Sequence, residues 1–157
     1  MDNQLTLIDS DKATGQSLYE RDFYQWAIHN VNLIRQGRFT EIDLENVAEE
    51  LEDMGRNKKN EIASRLLVLI IHLLKWQYEP QMRSTSWAST INTQRAEIER
   101  VLEDSPSLKY NIEVVIEKEF KRAKSGFERE TSISKKILPE ICPYTFEQLS
   151  DYDFWPE

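Results

Sequence analysis

The sequence predicts an all-α protein: an antiparallel bundle of about four main helices, with one long central helix and a C-terminal extension. Three observations predict it. Apolar residues recur at three- and four-residue spacing over most of the chain, with no alternating strand pattern. Only four Gly and five Pro interrupt 157 residues. Cap residues stand where each periodic run begins. The connections between runs are short, which favours antiparallel neighbours.

Ser17 and Glu20 form a capping box that opens the first helix, and Gly37 closes it. Tyr19, Phe23, Trp26, Asn30 and Leu33 make its inward stripe, with Ala27 and Ile34 beside them. Residues 1–16 carry no period and read as a loosely ordered arm, leaving 17–157 as a single helical domain.

Asp43 caps the second helix. Leu44, Val47, Leu51 and Met54 share one phase, which resumes beyond Gly55 through Lys58, Ile62, Leu66, Leu69, Leu73 and Trp76. A break would reset that phase, so one helix is predicted from about 43 to 78. Gly55 inside it costs about 1 kcal/mol relative to Ala, and close packing against another backbone is the expected reason for it. Leu66–Leu74 is apolar nearly all round and belongs at the centre of the bundle.

A third helix is expected over about 86–103, facing inward with Trp87, Ile91, Ile98 and Val101 or Leu102. Ser105 followed by Pro106 starts a fourth, with Leu108, Ile112, Val115, Ile116, Phe120 and Ala123 inward. The period weakens from Ser125. Pro139 and Pro143 bracket a loop, and Thr145 with Gln148 caps one short turn.

The chain carries a net charge of −8, which argues against a general nucleic-acid binder, because phosphate binding draws on clustered Lys and Arg. Cys142 is alone, so there is no internal disulfide and no thiolate-rich metal site. Set between Ile141 and Pro143 with no base adjacent, it reads as a small apolar residue rather than a nucleophile. No apolar run approaches the roughly 20 residues of a membrane span. The reading is a cytoplasmic protein, not membrane-bound, with no cofactor.

Catalytic signatures are absent: there is no H-E-x-x-H, G-x-S-x-G, phosphate loop or dinucleotide fingerprint. Residues 41–53 hold seven acids and no base. They form either a solvated helix face or a docking surface for a basic partner. An antiparallel return of the second helix puts the level of His29 near residue 51, beside Glu49, Glu50 and Asp53. Those four residues are the candidate metal ligands, although at ~100° per residue Glu49 and Glu50 point apart. His72 lies ~31 Å farther along the helix and cannot share the ion. Both His read more simply as boundary residues hydrogen-bonded to neighbours or water. Trp76, Arg83 and Trp87 gather at the second turn, where Arg beside aromatics stacks on a base or locks a helix corner; the corner fits the acidic balance better. The leading expectation is a non-enzymatic interaction module with a protein partner or a second copy of itself. A metal-binding bundle and a nucleic-acid-associated regulator are the alternatives.

The stretches Tyr19–Trp26, Asp43–Gly55, His72–Trp76, Glu79–Trp87 and Cys142–Leu149 resemble domain-of-unknown-function family 29, a bacterial family frequent in cyanobacteria. The resemblance spans about residues 17–157. It implies an all-helical fold and no activity.

Overall fold

The computed structural model describes residues 15–157. The expected N-terminal arm therefore lies outside the described residues, apart from Gly15 and Gln16. The chain is all-α: among the described residues there are helices and no strand. The described residues fall into two compact units that divide between Asp53 and Met54.

In unit one the first predicted helix is divided into α1 (Leu18–Arg21) and α2 (Phe23–Arg35). The capping box is present, with the Ser17 hydroxyl accepting from the Glu20 N–H and the Glu20 carboxylate accepting from the Ser17 N–H. The division falls at Asp22, whose side chain accepts from the Gln25 N–H and so caps a second start. A capping residue four positions after Leu18 outcompetes helix continuity. Gly37, at φ 72°, supplies the left-handed turn that ends α2. Trp26, Asn30 and Leu33 are buried as expected, whereas Phe23 and Ile34 are exposed.

The long helix is continuous. α3 (Leu44–Tyr78) runs through Gly55 for 35 residues, bearing out the unbroken phase. Its Leu66, Leu69, Leu73 and Leu74 are wholly inaccessible to solvent. Leu44, Leu51 and Met54, expected on the same inward stripe, are exposed instead. The reason expected for Gly55 is also corrected. A Cβ there would meet nothing within 4 Å, so no backbone packs against it.

Unit two combines the rest of α3 with α4 (Thr85–Asp104), α5 (Ile112–Thr131) and the short α6 (Phe146–Ser150). Ser84 caps α4 by accepting from the Trp87 N–H. Lys58 pairs with Asp104 at 2.8 Å and Arg65 approaches Glu97 at 3.4 Å, so α4 returns antiparallel to α3. Lys75 reaches Glu130 at 3.0 Å and Gly126 lies against Ile71, so α5 runs parallel to α3. This is an up-down-up arrangement. Pro106 starts a 3-10 turn over Pro106–Asn111 before the α-helix begins at Ile112. That helix persists beyond Ser125, where the period was expected to weaken. Gly126 and Phe127 are buried there, and Gly126 obscured the stripe because it has no side chain to show. Thr145 and Gln148 form their capping box at the start of α6.

Candidate functional site

In unit one the acidic run is partly structural. Asp43 receives three hydrogen bonds: from Trp26 Nε1 at 2.9 Å, from Asn46 Nδ2 at 2.7 Å and from the Asn46 N–H at 3.4 Å. Its own N–H donates to Asn30 Oδ1 at 2.9 Å. Burial pushes the Asp43 carboxyl up, but the bonds from Asn46 and Trp26 outweigh it and hold the group below the usual range. Glu50 accepts from the Tyr19 hydroxyl at 2.5 Å, and this bond, with burial and the nearby acids, pushes the phenol up to about 12. Glu41 is held below the usual carboxylate range, chiefly by its bonds from Arg38 and, to a smaller extent, by the charges of Arg38 and His29.

These contacts place the candidate ligands. Tyr19 opposite Glu50 and Trp26 opposite Asp43 set an antiparallel register in which His29 faces the connection before α3. Its charge acts on Glu41. The expected level near residue 51 ignored the length of the turn at Phe39–Glu41, which lets α2 run past the start of α3. His29 and Glu49 are exposed, and Asp53 is half-buried. Among the described residues no group of three or more His, Cys, Asp and Glu is placed to hold a metal ion.

In unit two the second turn is built from Trp76, Arg83 and Trp87. Arg83 Nε donates to the Trp76 carbonyl at 2.8 Å, and its guanidinium lies 5.2 Å from the centre of the Trp76 ring. Lys75 Nζ stands 4.6 Å from the centre of the Trp87 ring. Trp155, from the C-terminal tail, packs on Trp76 with ring centres 4.6 Å apart. The cluster thus joins the α3–α4 corner to the end of the chain.

Sequence reading missed the residue that anchors this tail. Arg95 is 2% exposed. Its Nε donates to the Leu149 carbonyl at 3.0 Å and its Nη2 to the Phe154 carbonyl at 2.7 Å. The guanidinium lies 5.4 Å from the Trp155 ring centre. The signal was legible: residue 95 occupies the inward stripe between Ile91 and Ile98, where a charge needs partners. Beside it is an open groove of about 500 Å³ lined by Ile98, Leu102, Pro106, Phe146 and Tyr152. Its Arg95 wall is already committed to backbone carbonyls.

Both remaining candidates for chemistry are quiet. His72 Nδ1 lies 2.9 Å from the Val68 carbonyl one turn earlier, the arrangement of a boundary histidine. Burial pushes the Cys142 thiol up to about 11, which disfavours thiolate.

One face remains unused. Tyr24, Ile28 and Val31 recur at four and three on α2, directly opposite the buried Trp26 and Leu33, and all three are exposed. Phe23 and Ile34 flank them, also exposed. The helix is apolar on two opposite sides: Trp26 and Leu33 are buried on one, and Tyr24, Ile28 and Val31 stay partly open on the other.

The described residues therefore define an all-helical protein whose Arg–aromatic clusters hold its own corners and tail. More particularly, the chain belongs to the family described as Domain of unknown function DUF29, whose model matches residues 18–155. No curated protein and no solved structure matches it. Among the described residues no helix is long and apolar enough to cross a membrane.

Proposed function

We propose that this protein is a non-enzymatic interaction module and that the outer face of α2 is its docking surface. The observation that supports this reading is the second apolar face of α2. Tyr24 is 70% exposed and Ile28 and Val31 keep 41% and 37% of their surface open, and a contiguous apolar stripe of this kind marks interaction sites. Of the side chains behind the other readings, Glu50 accepts from Tyr19 and Arg83 donates to the Trp76 carbonyl.

The reading separates association from folding. Replacing Ile28 and Val31 together by Ser removes partly exposed side chains, so chemical denaturation of dilute protein is expected to show a loss of no more than about 2 kcal/mol for the pair. The same variant loses its association, measured as solution mass. A destabilisation of several kcal/mol would make this face part of the fold, and unaltered association would remove it as a docking surface.

A further inference from the structure

The outer face of α2 is self-complementary. α2 is 13 residues long, about 20 Å at the helical rise. Along its exposed stripe Tyr24 stands near one end, Arg35 near the other, and Ile28 and Val31 between them. Turning a second copy of the helix end for end about the midpoint, between His29 and Asn30, puts Ile28 opposite Val31 of the second copy. It also brings Tyr24 opposite Arg35 at both ends, a cation over an aromatic ring. The flanks match as well. On one side Phe23 and Ile34 share a flank and come level to within two residues, about 3 Å along the axis, apolar near apolar; on the other Gln25 and Asn32 do the same, polar near polar. Charge agrees with the same direction. Glu20 and Asp22, with Arg21 between them, leave the N-terminal end of the α1–α2 segment net negative, whereas Arg35 leaves its C-terminal end net positive, Arg38 there being paired with Glu41. An antiparallel pair sets acid against base at each end, and a parallel pair sets like against like.

We infer that the occupant of this face is a second copy of the chain, packed antiparallel through α2 as a two-fold homodimer. The inference rests on the reading of that face as a docking surface and gives it a partner. A two-fold interface uses one patch twice, so it requires the end-to-end matching that these residues show. The contact of two helices this short falls at the small end of specific interfaces. The dimer therefore dissociates on dilution.

The test is a cross-linking pattern in the full chain carrying Cys142→Ser. Tyr24→Cys and Arg35→Cys variants are prepared separately, then oxidised alone and as a mixture. In the antiparallel pair residue 24 faces residue 35 of the other copy, whereas two copies of residue 24 are ~16 Å apart along the axis. The expected result is a disulfide-linked dimer from the mixture, several-fold above either variant alone, which Ile28→Glu abolishes. Tyr24→Cys cross-linking to itself as efficiently as the mixture would overturn the antiparallel pairing. So would unmodified protein that stays at the monomer mass over the full concentration series. The fate of the broader reading is separate. A monomer in which Ile28→Glu releases a different protein that co-purifies with the unmodified chain overturns the second copy and keeps the docking face. A monomer in which Ile28→Glu changes no association overturns both.

Discussion

Arg95 and Trp155 are held against each other, the guanidinium 5.4 Å from the indole ring centre while it donates to the carbonyl of the preceding residue, Phe154, at 2.7 Å. A buried charge is tolerable only with such partners, and here the partners are the backbone of the C-terminal tail. Arg95→Met leaves those carbonyls unpaired and is expected to cost roughly 2–4 kcal/mol in chemical denaturation. Arg95→Lys recovers little, because one ammonium cannot replace a planar fork serving several carbonyls. Limited proteolysis should then cut within residues 151–157 faster than in the unmodified protein, whose tail Arg95 holds. Full recovery by Lys would show that charge alone matters there.

The two helical glycines should respond in opposite directions. Gly55→Ala adds a Cβ into open space and removes backbone freedom from the unfolded chain, so a gain of about 1 kcal/mol is expected. Gly126→Ala places a Cβ 2.6 Å from Ile71 Cδ1 and 3.3 Å from its Cγ1 inside the core, and a net loss of about 1 kcal/mol or more is expected. Adding Ile71→Val deletes Cδ1, and the double variant should lose less than the sum of the two single changes. Strict additivity of the two would show that the strain lies elsewhere.

Asp43 ties Trp26, Asn46 and the start of α3 together. Its carboxyl is held below the usual range, so its folded pKa lies under its unfolded value. The stabilisation is present above the unfolded pKa of about 4 and disappears as the pH falls through the folded pKa. Asp43→Ala should therefore destabilise at pH 7 by about 1–3 kcal/mol and make less difference in strong acid. A penalty independent of pH would assign the loss to packing.

Tyr19 titrates late because its hydroxyl donates to Glu50. Its folded pKa is raised to about 12, so the contribution is intact below the ordinary value near 10 and is lost as the pH rises through 12. Glu50→Gln removes the carboxylate and should bring one tyrosinate transition, followed by ultraviolet absorbance, down toward 10. An unchanged titration curve would mean that the bond does not persist in solution.

The helical class, the 35-residue central helix and both capping boxes were legible because each rests on local rules: period, cap and breaker. Leu69 and Leu73 sit on a segment apolar all round and are fully buried, as that pattern requires. What failed needed tertiary information. The stripe of Leu44, Leu51 and Met54 has the right phase, yet periodicity cannot say whether anything covers it. Asp22 satisfies a cap rule as well as a solvent-facing reading, and the cap prevailed. Arg95 was visible on the α4 stripe, but its partners come from residues more than fifty positions away. The same holds for α2: Tyr24, Ile28 and Val31 fit the helical period, but only the structure shows Trp26 taking the inner side and leaving them outside.

The central claim is that the outer face of α2 binds a second copy of the chain, and sedimentation equilibrium of the unmodified chain beside Ile28→Glu tests it most directly. The account predicts a mass that rises with concentration from 18.6 kDa toward twice that value for the unmodified chain, and stays at 18.6 kDa for the variant. Identical masses for both proteins at every concentration would contradict it.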